Sequence, residues 1–280
     1  MKKILTTTAF LLTLIVAQNT SYKFDYFDIS NGLSQNRAQA IYQAKNGYIY
    51  VGTQGGLDRF DGYNFKYFSH NPSDTTSVPF GWVSAIGQDS KDNLWVGTTQ
   101  KTIGYLEPNG LWTRIKLKAM ETWDRDGRSW WWGFISDIKP YYDKVLISSN
   151  GNGLFIIDNG EQKHYTSDVD GGNIVSEIKV IDDRIFLATG GGVFEFDIDK
   201  EKFIKTSINL PVRGFSNDDG NKFYISTNDK VFLYDFKNDR YEDIKISINK
   251  NDRSFRKITF YNEKLWILNE SYGIVVHDLR

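Results

Sequence analysis

The sequence has no cysteine, only 5 prolines in 280 residues and no excess of charge of either sign. The absence of cysteine excludes disulfides and a lipid anchor attached to a cysteine. Lys and Arg number 34 and Asp and Glu number 35, so the formal net charge is −1. We therefore expect no nucleic acid partner, because such partners are bound largely through an excess of basic residues.

Long apolar runs are also lacking, except for Ile4 to Val16 at the N-terminus, which follows Lys2 and Lys3. Basic residues, a short apolar run and then Ala17 are typical of a secretory signal peptide. A membrane-spanning helix needs roughly 20 apolar residues, which leaves an uncleaved anchor as the weaker alternative. We predict a signal peptide over residues 1–17, a single domain over 21–280, a periplasmic location and no membrane span.

Aromatic residues make up 15% of the chain and glycines number 24, which favours short strands and tight turns over helices. The most regular feature is an apolar triplet that occurs six times. The six copies begin at Ile49, Leu94, Val145, Ile185, Phe223 and Leu265. Successive copies are 45, 51, 40, 38 and 42 residues apart. A period near 40 residues is typical of β-propeller blades.

Each repeat unit contains a strand before the triplet and two strands after it. We therefore predict an all-β propeller of six four-stranded blades, with an incomplete seven-bladed propeller as the alternative. Three consecutive apolar residues indicate a second strand that is buried on both faces of its sheet. A small residue follows five of the triplets, as expected at a crowded strand end, and Leu268 departs from this pattern.

The third strand of most units ends in an aspartate, which can bond its own backbone and start the next turn. These residues are Asp61, Asp158, Asp197, Asp235 and Asp278. The sixth unit stops directly after its third strand, and the first strand-like segment, Tyr22–Phe27, is similar to the fourth strand of the first unit, Tyr63–Phe68. We predict that Tyr22–Phe27 completes the sixth blade; the alternative is that further blades follow.

Several short motifs resemble the two-component regulator propeller repeat over residues 24–115, and the rest of the chain keeps only the blade pattern. The motifs are Gly32-Leu33-Ser34, Gly56-Leu57, Phe60-Asp61-Gly62, Gln88-Asp89 and Leu94–Thr98. The resemblance implies a periplasmic sensor that recognises a ligand, often a glycan fragment. In the family, further blades, an immunoglobulin-like domain, a membrane helix and kinase modules follow, and propellers usually have seven blades.

No arrangement of residues predicts catalysis, a metal site or a cofactor, since His70, His164 and His277 lie in different units. A polysaccharide-acting enzyme would need acidic residues on the axial face and remains an alternative. A periplasmic protein-interaction scaffold is a second alternative. The partners expected are a small molecule or an oligosaccharide, with further domains of a longer chain or a second copy as other possibilities.

The longest connection between units, over residues 116–133, is rich in tryptophan and charge. Exposed indole rings can stack on sugars while arginine bonds hydroxyl or carboxylate groups. From this connection we predict ligand contacts by Trp123, Arg125, Arg128, Trp130 and Trp132, although some rings could instead pack in the core. Other connections on the same face add Arg37, Gln54, Trp82, Gln100, Lys101, Asn150 and Asn152.

Overall fold

The computed structural model describes residues 22–100, 102–118, 133–217, 220–248 and 254–279. In these ranges the protein is an all-β propeller of six blades, which confirms the predicted fold. The predicted signal peptide lies outside the described residues. A single 3-10 turn at Ile29–Asn31 precedes the first blade, and the described ranges contain no α-helix.

Every blade is an antiparallel sheet in which consecutive strands pair. Blades one and two contain β1 Ala38–Gln43, β2 Ile49–Thr53, β3 Gly56–Phe60, β4 Phe65–Ser69, β5 Val83–Gln88, β6 Leu94–Thr98, β7 Thr102–Leu106 and β8 Trp112–Lys116. Blades three and four contain β9 Ile135–Tyr141, β10 Lys144–Ser149, β11 Gly153–Asp158, β12 Glu161–Tyr165, β13 Val175–Ile181, β14 Arg184–Thr189, β15 Gly192–Asp197 and β16 Lys202–Lys205. Blades five and six contain β17 Gly214–Asn217, β18 Lys222–Ser226, β19 Val231–Asp235, β20 Arg240–Ile244, β21 Phe255–Tyr261, β22 Lys264–Asn269 and β23 Gly273–Asp278.

The apolar triplets form the second strand of each blade, and in the middle of the ring they are buried on both faces. Leu146, Phe186, Leu187 and Phe223 have no exposed surface. Their partners come from neighbouring blades, as where Phe186 of β14 meets Phe223 of β18 with ring centroids 5.3 Å apart. The core is therefore a series of apolar layers between adjacent blades.

The small residue after each triplet has a steric cause. A Cβ atom added at Gly52 would lie 2.7 Å from Cγ1 of Val83, the first residue of the next blade. A Cβ atom at Gly97 would overlap the Ile135 side chain, which begins the third blade. In blades one and two, the end of the second strand thus touches the start of the next blade, as expected at a crowded strand end.

Serines in the first strands bind adjacent blades together near the axis. The hydroxyl of Ser84 donates to the Ile135 carbonyl at 2.7 Å, and that of Ser176 donates to the Val212 carbonyl at 3.0 Å. Ser136 makes the equivalent bond to Val175. These serines lie at a shift in register between the first and second strands, which turns each hydroxyl towards the following blade.

Three of the five aspartates at the ends of third strands accept backbone hydrogen bonds in the following turn, as predicted; they are Asp61, Asp197 and Asp235. Asp158 instead pairs with Lys144. Asp61 accepts hydrogen bonds from the backbone N–H groups of Tyr63 at 2.9 Å and Asn64 at 2.7 Å. Asp235 accepts from the two equivalent backbone groups in the fifth blade. These carboxylates are satisfied by their own turns, which supports a structural role.

The predicted closure of the sixth blade by Tyr22–Phe27 is wrong. The sixth sheet has three strands, and Tyr22–Phe27 forms no strand. The Tyr22 ring instead packs edge-on against Trp266 of β22 at 4.6 Å, and Phe27 packs against Phe60 of blade one at 5.0 Å. Aromatic packing therefore holds this segment across the first and last blades without sheet hydrogen bonds.

The first and sixth blades each leave apolar surface uncovered. Ile41 of β1 is 75% exposed, and Leu268 and Ile274, which are paired across β22 and β23, are 47% and 53% exposed. The first strands of consecutive blades pack together from β1 round to β21, but no comparable contact joins β21 to β1 among the described strands. One side of the ring is therefore open.

Candidate functional site

The candidate site lies on the face where each fourth strand connects to the next first strand. In a propeller this face also carries the turns between second and third strands, and backbone hydrogen bonds join the two sets. The Gln54 N–H donates to the Arg37 carbonyl at 3.3 Å, and the Thr99 N–H donates to the Trp82 carbonyl at 3.1 Å. We call this surface the loop face; it carries the predicted contact residues Arg37, Gln54, Trp82 and Gln100.

Arg37 and Trp82 come together although 45 residues separate them. The Arg37 guanidinium carbon lies 5.4 Å from the centroid of the Trp82 ring, with Arg37 exposed and Trp82 half-buried. The Trp82 indole N–H has no hydrogen-bond acceptor among the described residues. Gln54 and Gln100 are exposed on the adjoining turns. A planar cation beside an indole ring can contact both the apolar face and the polar edge of a ligand.

The two predicted asparagines of the third blade form hydrogen bonds within the domain. Asn152 is 4% exposed, and its side-chain amide donates to the Ser149 hydroxyl at 3.2 Å. Asn150 is half-buried, and its backbone is paired with Gly133 and Phe134. The Asn152 side chain is therefore used within the fold, whereas for Asn150 only the backbone is. The remaining predicted contacts, Lys101, Trp123, Arg125, Arg128, Trp130 and Trp132, lie outside the described residues.

Two further arginines on the loop face were missed in the sequence. Arg213 precedes β17 and donates from Nε to the Asn228 side chain at 2.6 Å. Arg256 in β21 forms an ion pair with Glu270, which also accepts from the Ser254 hydroxyl at 2.6 Å. Burial lowers the Arg213 pKa, and the nearby Arg256 charge lowers it further. Arg213 occupies the same position before a first strand as Arg37 and Trp82, and that alignment could have revealed it.

Below the loop face, the first strands bring charged side chains together around the axis. Asp137 and Lys139 of β9 form an ion pair at 3.3 Å, and Asp137 also accepts from the Ile178 N–H of the next blade at 2.9 Å. Glu177 of β13 accepts from the Phe215 N–H of the fifth blade at 3.1 Å. Each carboxylate therefore fastens its blade to the following one.

Charges from several blades influence one another in this axial cluster. Burial raises the Glu177 pKa, and Lys257 of the sixth blade opposes that rise. The Asp137 charge raises the Lys139 pKa, whereas burial lowers the Lys179 pKa. Desolvated charges of both signs can hold the hydroxyl groups of a polar ligand, since they supply both donors and acceptors.

The histidines with described contacts have structural partners. His70 Nδ1 lies 2.8 Å from the Val78 carbonyl, and His164 Nε2 lies 2.7 Å from the Asn152 carbonyl. The His164 ring also stacks on Phe155 with centroids 4.3 Å apart. Within the described ranges, no three His, Asp or Glu side chains are grouped so that they could hold a metal ion.

The two-component regulator propeller family matches residues 32–55 and 77–100, which are the beginnings of blades one and two. These two segments are similar to two-component regulator propeller repeats. A 70-residue stretch is 43% identical to histidine kinase P4 of Formosa agariphila, and this stretch is 25% of the chain and 5% of that protein. The aligned stretch is therefore a small part of both proteins.

Solved structures with the same fold include two proteins of B. thetaiotaomicron. The extracellular domain of a hybrid two component system aligns with a TM-score of 0.62 at 21% identity, over 91% of this chain and 42% of that one. The extracellular domain of a one component system aligns with a TM-score of 0.67 at 18% identity, over 88% of this chain and 34% of that one. This chain spans less than half of either of those chains.

A streptogramin B lyase also aligns, with a TM-score of 0.67 at 11% identity, over 88% of this chain and 81% of the lyase. At such low identity, the alignment shows a shared fold and gives no evidence that the activity is shared. In the part of the chain that the structure describes, no helix combines the length and hydrophobicity needed to cross a membrane.

Proposed function

We propose that this chain is a periplasmic ligand-sensing region of a two-component regulatory system and that it recognises a carbohydrate fragment on the loop face. The observation that carries the proposal is the pairing of Arg37 with Trp82 in the two blades that match the regulator repeat. Indole rings stack on the apolar faces of sugars, and guanidinium groups bond hydroxyl or carboxylate oxygens.

The remainder of the loop face supplies polar groups that suit such a ligand. Arg213 adds a cation from the fifth blade, the Arg256–Glu270 pair adds donors and acceptors from the sixth, and Gln54 and Gln100 add amides from the first two. In this proposal the tryptophan-rich connection contributes another wall through Trp130 and Trp132, because it joins β8 to β9 on the loop face. Stacking rings among a few placed polar groups are typical of small-ligand sites.

Calorimetric titration with a panel of oligosaccharide fragments tests the proposal. Trp82→Ala and Arg37→Gln should each weaken binding of a recognised fragment by about tenfold or more, which corresponds to about 1.4 kcal/mol. Arg240→Gln is the matched control, because Arg240 is exposed on the outer strand β20. Unchanged affinity in both loop-face variants would place the carbohydrate site elsewhere.

The proposed periplasmic location rests on the N-terminal pattern of Lys2, Lys3, Ile4–Val16 and Ala17. We propose cleavage near Ala17 during export, which leaves a sensor domain over residues 21–280. N-terminal sequencing of the protein from a periplasmic fraction tests this. A chain that stays in the cytoplasm with residues 1–17 intact would contradict the proposal.

The open side of the ring bears on the expected contact with further domains of a longer chain. We propose that the uncovered faces around Ile41 and around Leu268 and Ile274 pack against further domains of a longer sensor chain. Curated and structural relatives are much longer than this chain, which supports that occupant. Co-purification of the chain with a separately expressed downstream domain would support docking, and a stable homodimer that buries Leu268 would overturn it.

A further inference from the structure

A groove separates blades one and two on the face opposite the loop face. Its volume is about 480 Å³, within the range typical of small-molecule sites. The turns between first and second strands form its rim, and Tyr48, Tyr50 and Phe68 line its interior with aromatic surface. The groove shares no residue with the loop face, so an argument about its ligand does not depend on the proposed function.

Three side chains form a row across the blade-one wall of this groove. Tyr50 of β2 is directly opposite Arg59 of β3, and Arg59 is directly opposite Lys66 of β4. The Arg59 guanidinium carbon lies 4.3 Å from the Tyr48 ring centroid, and Lys66 Nζ lies 5.0 Å from the Phe68 ring centroid. Aromatic rings therefore hold both cations at the groove wall.

Arg59 and Lys66 place two like charges opposite each other on the groove wall. The nearest acidic influence on Arg59 is the Asp61 carboxylate, whose pKa is lowered by backbone hydrogen bonds and also by the Arg59 charge. Like charges directly opposite each other on adjacent strands repel. Neither cation forms an ion pair among the described residues, and Arg59 Nε is buried without a hydrogen-bond acceptor.

Acidic groups on the opposite wall are already engaged. Asp92 forms an ion pair with Lys45 at 2.7 Å, and the Glu107 carboxylate accepts from the Asn109 side chain at 3.0 Å. Gln88 fixes the rim, since its side chain accepts from the Lys45 N–H and donates to the Asp92 carbonyl. The groove is lined by three cationic side chains, Lys45, Arg59 and Lys66, and two anionic ones, Asp92 and Glu107, so its net charge is positive.

We infer that this groove binds a small anionic sugar, of one or two rings, whose carboxylate or sulfate group lies between Arg59 and Lys66. Arginine binds a planar carboxylate through two parallel hydrogen bonds, and lysine adds a point charge. The aromatic lining suits the apolar face of a pyranose ring. A bound anion between Arg59 and Lys66 is attracted by both cations, and this attraction offsets the repulsion between them.

Calorimetry of the chain with glucuronic acid, glucose 6-sulfate and glucose tests the inference. At least one anionic sugar should bind more tightly than glucose, and rising salt should weaken it. Lys66→Gln should weaken this binding by about tenfold or more, and because Lys66 is exposed, the variant should fold normally. Arg59→Gln should have the same effect. Binding of only one of the two anions assigns the group that the site recognises.

Two control variants separate this site from others. Lys91→Gln removes an exposed lysine near the rim that does not line the groove, and it should leave affinity unchanged. Trp82→Ala changes the loop face and should also leave it unchanged, so failure of one site does not imply failure of the other. The inference would be overturned if glucose bound as tightly as the anionic sugars, or if Lys66→Gln left their binding unchanged. It would also be overturned if neither anionic sugar bound at millimolar concentration.

Discussion

Blades three to five and blades one and six share one repeat but bury their sheets differently. In the fourth blade, Ile185, Phe186, Leu187, Ala188 and Thr189 are all buried, because apolar layers cover both faces. The equivalent strand of the sixth blade alternates between buried and more exposed residues. Burial of the second strand on both faces therefore depends on the neighbouring blades and is not a property of the repeat alone.

The comparison also explains why Leu268 departs from the pattern of small residues. Gly52 and Gly97 are small because the first residue of the following blade touches them. Leu268 occupies the same position in the sixth blade, where no following blade touches it among the described residues, and it is 47% exposed. The side chain is large where the ring is open.

The largest loss of stability should come from removing a buried ring from an apolar layer between blades. Phe223 has no exposed surface and packs against Phe186, Phe215 and Tyr234. Phe223→Ala should therefore lower the free energy of unfolding by about 3–5 kcal/mol. Ile41→Ala, on the open face of blade one, should change it by less than about 0.5 kcal/mol. Urea unfolding of both variants gives the comparison, and similar losses would show that Ile41 is covered in solution.

Adding a large side chain at a tight contact between blades should lower the free energy of unfolding by less than removing a ring from an apolar layer does. Gly97→Leu forces a side chain into Ile135, and overpacking of this kind costs about 1–3 kcal/mol. Leu268→Gly is the converse change on the open face and should cost less, because the Leu268 side chain is about half exposed. Thermal unfolding of the two variants tests this order. A larger loss in Leu268→Gly would refute the steric explanation.

A still smaller effect is expected from a single inter-blade hydrogen bond. Ser176→Ala removes the bond to the Val212 carbonyl and should cost about 0.5–1.5 kcal/mol. Ser271→Ala removes an exposed hydroxyl in blade six and is the control. Equal unfolding free energies for the two variants would mean that the serine contacts between blades add no stability.

Much of the fold could be predicted from the sequence, because strand periodicity and turn aspartates are local signals. The six triplets, the small residues after them and the turn at Asp61 all follow from such signals. The role of Tyr22–Phe27 could not, since aromatic residues that suit a fourth strand also suit packing on Trp266 and Phe60. Sequence similarity to a strand does not determine a hydrogen-bonding partner.

The candidate site was predicted only in part for a related reason. Arg37 and Trp82 were recognised by residue type and by position on the loop face. Asn152 also had a suitable type and position, yet its amide is used within its own turn. The axial group of Asp137, Lys139 and Glu177 depends on which side of a strand faces the ring centre and on contacts between separate blades. Local patterns do not contain that information.

The smallest expected effect is the pH dependence of Glu177. Because its pKa is raised above the usual value of 4.5, the folded state holds the proton more tightly than the unfolded state. Stability is therefore lost as pH rises from about 4.5 through the raised pKa, and the loss is complete above it. Glu177→Gln can keep the bond from the Phe215 N–H and removes this titration. The variant should gain stability relative to the parent as pH rises, and parallel profiles would contradict the assignment.

The loop face is the central claim, and hydrogen–deuterium exchange with a bound oligosaccharide tests it most directly. The fragment that binds most tightly in calorimetry is added to the Arg59→Gln variant, so that the groove between blades one and two does not contribute. Protection is expected in the segments that contain Gln54 and Thr99, whose backbone N–H groups join the loop-face connections. Protection absent from both segments, with the fragment demonstrably bound, would contradict the account.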